Sequence, residues 1–278
     1  MARKKRSYNT KKKGVFNVDE LKAYRVAYGE GLGARDYVTY VGVPALLFGV
    51  VSFLLLYNLW ITLPVMVVGA IYGWRVFLPR SVRKQYEQAS MNQRNKFLNN
   101  MTQVLTDDSQ TPLMALEKVK RRADGEFKKD LERFHAMLIG ADSMRIREAV
   151  IWFSDKYDDD VIFLQYLEQL ETIMLEGKTN IDTLHDIKTY HNDIRKKQAL
   201  YERGKAGHVR DMKYLMIVTG ILLISLAVSF GFNTYLEAYA RHPIGYVSSG
   251  LYMLILMFFF RQFSNYLFDD SVMEIRTK

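Results

Sequence analysis

Three long apolar runs constrain the fold of this chain more than any other feature of its sequence. The run 37–78 contains one charged residue, Arg75, and the runs 214–236 and 243–260 contain none. A helix that crosses a bilayer needs about 20 apolar residues, whereas a helix buried in a soluble protein rarely needs more than about 14 in a row. These lengths predict an integral membrane protein. The charged, helix-patterned residues between the first two runs predict one soluble domain within it.

The first run is long enough for two spans and has a polar interruption near its middle. We place the spans at about 38–57 and 60–78, joined by a short turn at Asn58–Leu59, so that 37–79 forms a hairpin. The spans at about 214–236 and 243–260 form a second hairpin over 214–261. The alternative for the first run is one long kinked helix. The predicted fold is an all-α integral membrane protein with four transmembrane helices in two hairpins and a six-helix cytoplasmic bundle between them.

The distribution of lysine and arginine predicts the orientation of the spans. Residues 1–36 hold ten of these residues, the turn at Asn58 holds none, and the link between the last two spans holds one, Arg241. Cytoplasmic loops carry the excess of positive charge in membrane proteins. The sequence therefore predicts a multi-pass protein of the cytoplasmic membrane. Its N-terminal tail (1–36), central domain (80–213) and C-terminal tail (262–278) should all lie on the cytoplasmic side.

The central region 80–213 has the pattern of a helical bundle. Thr111 followed by Pro112 is a good helix start, and Gly140 and Gly177 are typical of helix ends. Apolar residues recur at three- and four-residue spacing, which predicts amphipathic helices packed into one bundle. Nothing obliges the last helix to end before the third span, so we expect it to continue into the membrane. The six helices begin near residues 83, 112, 125, 142, 161 and 180.

The N-terminal tail is strongly basic and contributes most of the net charge of +9. We expect this tail to contact anionic membrane lipids, at about 1 kcal/mol for each basic residue near the surface. Nucleic acid is the alternative ligand. However, Tyr8 is the only aromatic residue between these charges, so the tail has few rings that could stack on bases. We therefore do not expect nucleic acid as a partner. The candidate lipid-binding residues are Arg3, Lys4, Lys5, Arg6, Lys11, Lys12 and Lys13.

The sequence contains no motif that predicts catalysis or a cofactor. It has no glycine-rich phosphate loop, no H-E-x-x-H and no G-x-S-x-G, and the absence of cysteine excludes thiolate metal sites. His185 and His191 lie six residues apart, which is a poor spacing for a metal pair on a helix, and capping explains the aspartate runs better than a cation does. We therefore predict a protein that is not an enzyme and has no catalytic, cofactor or metal residues. A small transporter or channel is a further class, with only weak support from polar residues in the spans.

The order of spans and helices, together with four stretches of sequence, resembles a known family. The chain is similar to the TadB/TadC-like platform proteins of the type II secretion system F (GspF/PilC) superfamily. It departs from the family pattern where Asp108-Ser109-Gln110 replaces a glycine. The stretches that carry the resemblance are TPLMAL at 111–116, FLQYLEQL at 163–170, EGKTNIDTL at 176–184 and IRKK at 194–197.

This resemblance implies a platform protein in the cytoplasmic membrane. Such a protein couples a cytoplasmic hexameric ATPase to extraction of pilin-like subunits and assembly of a filament. Its implied partners are that ATPase, the pilin-like subunits, and a paralogous platform protein or a second copy of itself. A membrane-anchored nucleic-acid or DNA-transfer (conjugation) factor that uses the basic tail is the alternative function. The candidate partner-binding residues are Lys118, Lys120, Arg121, Arg122, Arg195, Lys196 and Lys197. The simpler interpretation is that these residues lie at solvated helix ends and bind no partner.

Overall fold

The computed structural model describes residues 18–29, 31–177 and 181–268, and this part of the chain is helical without β-strands. The seven candidate lipid-binding residues of the tail lie outside the described residues. The helices are α1 (Val18–Tyr28), α2 (Ala34–Leu56), α3 (Leu59–Leu105), α4 (Pro112–Lys120), α5 (Gly125–Leu138), α6 (Ser143–Lys156), α7 (Val161–Glu176), α8 (Ile181–Ser229), α9 (Phe232–Tyr235) and α10 (Pro243–Leu267). A π-helical turn over Leu236–Ala240 continues α9.

Four of the described helices, α2, α3, α8 and α10, are long and apolar enough to cross a membrane. This agrees with the number of spans expected from the apolar runs. The first run is two helices, so its alternative interpretation as one kinked helix is wrong. The chain reverses where Tyr57 adopts a left-handed conformation (φ 46°) and the Asn58 side chain accepts a hydrogen bond from the Trp60 amide at 3.0 Å.

Close packing of α2 against α3 depends on small residues. A Cβ atom on Gly69 would lie 2.9 Å from the carbonyl oxygen of Pro44, and one on Gly73 would lie 2.6 Å from that of Tyr40. Small residues allow the backbones of two apolar helices to approach each other and gain dispersion energy without a large side chain between them. The helices α2 and α3 therefore pack tightly along these two glycines.

The helices α3 and α8 are longer than expected and carry the chain from the helical domain into apolar segments. The predicted break between the second span and the first helix of the bundle is absent, because α3 runs through 47 residues. The helix α8 runs through 49 residues, which agrees with the expected continuation into the third apolar run. However, α8 ends at Ser229 rather than near Leu236, because Gly231 has a positive φ of 77° and turns the chain.

The core of the helical domain is built by α3, α4, α5, α6, α7 and the first part of α8. Its centre is a group of buried aromatic rings, in which Phe134 and Phe153 stack with centroids 4.6 Å apart. Buried aromatic side chains contribute large apolar areas, and their ring pairs add about 0.5–1.5 kcal/mol each. The other members of this group are Phe97, Phe127, Phe163 and Tyr166.

Part of the segment expected to be a basic tail is a packed helix. Leu21 in α1 contacts Leu78 and Val82 of α3, and Tyr28 packs against the main core. Gly125, at the start of α5, has a φ of 63°, and a Cβ there would lie 2.4 Å from a backbone oxygen near the end of α1. The interpretation of 1–36 as a tail is therefore wrong for Val18–Tyr28, where apolar and aromatic residues at helical spacing bury one face.

Candidate functional site

A network of polar side chains lies between α3 and α8, the two helices that extend from the domain into apolar segments. On α3, Asn95 and Asn99 are four residues apart and therefore share one face. The Asn95 amide donates to Asn192 of α8 at 2.8 Å, and Asn99 and Asn192 exchange two hydrogen bonds at 3.1 and 3.0 Å. The Asn95 oxygen accepts a hydrogen bond from Arg195 at 3.0 Å. Each helix thus satisfies polar groups of the other.

The network continues into a buried ion pair at the start of α7. Asp160 caps this helix by accepting a hydrogen bond from the Phe163 amide at 3.0 Å. Its second carboxylate oxygen accepts a hydrogen bond from Arg94 Nε at 2.9 Å, and the two side chains are only 8% and 6% exposed. Arg94 also donates to Ser90 at 2.9 Å and lies over the ring of Tyr157. The Asp160 carboxylate therefore joins α3 to the start of α7.

His191 of α8 lies between the amides and the ion pair and is fully buried. The Asn95 amide nitrogen is 3.0 Å from His191 Nδ1, and an amide nitrogen can only donate, so Nδ1 accepts. The proton then lies on Nε2, which faces the Asp160 carboxylate at 3.5 Å. His191 thereby connects the carboxylate at the start of α7 to the amide of α3.

The Asp160 carboxyl is held in its ionised form. Burial raises its pKa, but the hydrogen bond from His191 and the positive charge of Arg94 outweigh burial, so its pKa lies below the ordinary value. A charge that is removed from water requires a partner and hydrogen bonds, and here both are present. A polar network that satisfies its members favours one arrangement of the surrounding helices over others.

The two basic clusters expected to bind partners are not uniform exposed patches. At the end of α4, Lys118 donates to Gln110 at 2.7 Å, Lys120 and Arg121 both pair with Glu117, and Arg122 is exposed. The charges of this cluster are therefore partly neutralised within α4. This pairing is the local consequence of glutamate three and four residues before the basic side chains.

The second cluster is divided between two faces of α8. Arg195 is half-buried and points to Asn95 of α3. Lys196 is exposed and pairs with Asp193 at 3.2 Å, and Lys197 is exposed. Only the two lysines therefore belong to a solvated helix surface, whereas Arg195 is part of the network between α3 and α8.

Sequence analysis did not identify most members of this network. It assigned the aspartate run that contains Asp160 to helix capping, and it considered His191 only as a poor metal pair with His185. The polar residues that interrupt the buried faces of α3 and α8 were the available signal. The residues that it missed are Arg94, Asn95, Asn99 and Asn192.

A cleft of about 360 Å³ lies beside the network, between α3 and α8. Towards the apolar segments, Lys84 and Glu202 form an ion pair at 2.8 Å, and Lys84 also donates to the carbonyl oxygen of Leu267 in α10 at 3.2 Å. The network and this ion pair therefore lie at opposite ends of the cleft. Its lining residues include Gln88, Met91, Asn92, Arg195, Gln198 and Glu202.

Within the described ranges, no group of three histidine, cysteine, aspartate or glutamate side chains is placed to hold a metal ion. The network itself contains an ion pair, amides and an imidazole. These groups fix the position of α8 against α3 and α7. The arrangement is therefore suited to transmitting a displacement between helices.

Comparison with known proteins gives one clear relative. The chain is 48% identical over 267 residues to the uncharacterized protein pXO2-23 of Bacillus anthracis, and the match covers 96% of each chain. No protein-family model matches the chain. No solved structure matches it.

Proposed function

The chain belongs to one family with pXO2-23 of Bacillus anthracis, and we propose that it is a platform protein of a Tad-type, type IV pilus-like or type II secretion-like machine. In this role it couples a cytoplasmic hexameric ATPase to extraction of pilin-like subunits and assembly of a filament. The role is mechanical and needs no catalytic residue in this chain. A second copy or a paralogous platform protein completes the assembly.

One observation carries this proposal: two helices join the soluble domain to apolar segments, and a buried polar network connects them. At 1.5 Å per residue, the 47 residues of α3 extend over about 70 Å. Because α3 and α8 are continuous, a force on the domain reaches the apolar segments without passing through a loop. The interactions of Asn95, Asn99, Asn192 and His191 hold the two helices in one register at the domain end.

The hydrogen bonds of the network oppose a gradual shift of α8 along α3. A shift of α8 against α3 by one residue would break the hydrogen bonds of several buried groups together. Each buried polar group left without a partner costs about 1–3 kcal/mol. The pair therefore moves as a unit or passes to a second satisfied register, and both responses suit a part that transmits work.

The proposed orientation follows the positive charge. The tail, the domain 80–213 and the C-terminal tail 262–278 lie in the cytoplasm, and the spans form two hairpins in the cytoplasmic membrane. The basic tail contacts anionic lipids on the same side. Lys118, Arg122 and Lys197 are exposed and remain candidate contacts for a soluble partner.

A crosslinked pull-down tests the platform function. The full chain, tagged at its C-terminus, is crosslinked in living cells, solubilised in mild detergent and purified, and its partners are identified by mass spectrometry. A membrane protein of similar abundance with the same tag is the control. We expect enrichment of a hexameric secretion ATPase, pilin-like subunits or a paralogous platform protein. Absence of all three, with lipid or nucleic acid alone, would reject the proposal.

A membrane-anchored DNA-transfer factor is the second candidate function. The polybasic residues 1–13 favour it. If this function is correct, deletion of 1–13 should abolish DNA binding by the purified chain. The affinity of the full chain should fall steeply as salt rises, because each neutralised phosphate releases counterions. Equal binding by the full and shortened chains would exclude this role of the tail.

A further inference from the structure

Arg195 is a cation without a countercharge in the described structure. Its guanidinium donates to the Asn95 oxygen at 3.0 Å, and the described residues place no carboxylate against it. Burial lowers its pKa, yet an arginine stays charged at neutral pH. Removing water from part of an unpaired charge is unfavourable, and an anion that pairs with the guanidinium would offset that cost.

The other charged groups around the cleft already have partners. Glu202 pairs with Lys84 at 2.8 Å, and Lys196 pairs with Asp193 on the outer side of α8. The polar lining also includes the amides of Gln88 and Asn92. Amides both donate and accept hydrogen bonds, so they can bind the remaining polar atoms of a side chain or a peptide backbone.

The position of the cleft excludes the membrane surface as the source of the anion. Arg195 precedes the apolar run that begins at Tyr214 by 19 residues, which corresponds to about 28 Å along the helix. This distance is several times the Debye length of about 8 Å at physiological salt. Lipid headgroups therefore lie too far away to pair with Arg195. A single unpaired cation is also a poor match for the closely spaced phosphates of a nucleic acid.

We infer that the cleft between α3 and α8 binds an acidic segment of a soluble protein, with a carboxylate of that segment paired to Arg195. This inference deepens the proposed function, because it rests on the coupling of α3 to α8 and gives the chemistry of the partner that acts on it. Binding in the cleft places the partner against both helices at the domain end. The partner can thus change the position of α8 relative to α3 directly.

Site-specific photocrosslinking of the full chain in living cells tests the inference. A photoreactive amino acid replaces Gln198, which lines the cleft, and in a control it replaces Leu200, which is 65% exposed on α8. Each version is combined with Arg195→Glu, Arg195→Gln or Lys197→Glu. Lys197 is the matched control, since it has the same charge two residues away but is exposed. Mass spectrometry then identifies the crosslinked segment.

We expect the cleft position to capture a segment rich in aspartate and glutamate. Arg195→Glu should lower the crosslink yield about tenfold or more, since a charge-assisted hydrogen bond is lost and repulsion replaces it. Lys197→Glu should change the yield less than about twofold, as is typical of exposed charges. Capture of lipid alone, capture of a segment without acidic residues, or equal effects of Arg195→Glu and Lys197→Glu would overturn the inference.

Two controls separate this inference from folding defects and from the platform function. Arg195→Gln removes the charge but retains a hydrogen-bond donor, so its helical content and thermal midpoint should remain near those of the original chain. Its crosslink yield should still fall, and an unchanged yield would contradict the inference. If the captured acidic segment belongs to a protein other than a secretion ATPase, a pilin-like subunit or a paralogous platform protein, the docking inference holds and the platform proposal fails.

Discussion

Replacement of Asp160 by asparagine tests whether the buried ion pair stabilises the domain through its charge. Asparagine is about as good a helix N-cap as aspartate, so the start of α7 should keep its cap. Because Oδ1 of Asp160 makes this cap and Oδ2 accepts from Arg94 Nε at 2.9 Å, an asparagine that keeps the cap turns its NH2 group towards Arg94. The substitution therefore removes both the negative charge and the hydrogen bond to Arg94. The matched control is Asp159→Asn, because Asp159 is the adjacent carboxylate, 3.9 Å from Arg94, and its side chain is 69% exposed.

The expected loss of stability follows from burial. Removing one partner of a buried ion pair costs about 3–5 kcal/mol, because the other charge is left without compensation. Arg94 would keep its contact with the Tyr157 ring and the distant Asp159 carboxylate, so we expect a loss of about 3 kcal/mol for Asp160→Asn. An exposed pair contributes about 0–1 kcal/mol, which is the expected effect of Asp159→Asn.

Urea unfolding of the full chain in detergent measures the difference. With Trp60→Phe and Trp74→Phe in the background, Trp152 of α6 becomes the only tryptophan and reports on the domain. At a slope of about 1–3 kcal/mol per molar urea, Asp160→Asn should lower the midpoint by about 1–3 M. Equal midpoints for the two asparagine variants would refute the role assigned to the buried charge.

The dependence on pH gives a second readout of the same pair. The pKa of Asp160 is lower in the folded chain, so its contribution is present above the unfolded pKa of about 4. That contribution is lost as the pH falls through the folded pKa, because protons then bind the unfolded chain more readily than the folded one. Acidification below pH 4 should therefore destabilise the original chain more than Asp160→Asn. Identical acid slopes would contradict this assignment.

Two further predictions concern glycines. Gly125→Ala should destabilise the domain more than Gly140→Ala. Both glycines have a positive φ, at which alanine costs about 1–2 kcal/mol, but only Gly125 lies against the backbone of α1. Equal thermal midpoints of the two variants would show that α1 does not pack there. Alanine at Gly204 and Gly207 should stabilise α8 by about 1 kcal/mol each, because both glycines lie inside a helix with open space around them, and circular dichroism melts would detect a failure to stabilise.

The parts of the fold that the sequence predicted are those with local causes. Thr111 accepts a hydrogen bond from the Met114 amide at 3.3 Å, as its position before Pro112 predicted. Gly140 and Gly177 have the positive φ values expected at helix ends. A helix cap depends on neighbours within four residues, and the length of an apolar run depends on composition alone. Both features can therefore be recognised in a single sequence.

The continuity of α3 was missed because a change of hydropathy was taken for a helix end. Pro79 lies at that boundary and lacks the amide hydrogen that would bond to the carbonyl of Arg75. The structure accommodates it after a wider π-helical turn over Gly73–Phe77, and the helix continues. Such turns are how a helix absorbs a local mismatch in hydrogen bonding, and they leave no periodic signal in the sequence.

The polar network was missed for a different reason. Asn95 and His191 are separated by 96 positions in the chain, and Arg94 and Asp160 by 66. The residues around Asn95 or Arg94 in the sequence do not specify these distant partners, since a polar side chain on a helix is more often solvated than buried. The same limitation placed Arg195 on a presumed docking surface with Lys196 and Lys197. Only the packing of α8 against α3 distinguishes the inward arginine from the outward lysines.

The two ends of α8 differ in a way that bears on how the chain works. The domain end is fixed by His191, Asn192 and Arg195. In the apolar part of α8, by contrast, only 6% of the residues are buried within the described chain. Gly204 and Gly207 lie between these ends, at the positions where the backbone resists bending least. In the proposed platform function, a displacement imposed at the fixed end therefore moves a helix whose far end has few contacts to oppose it. Stiffening the glycines should preserve folding but change how that displacement reaches the apolar segment.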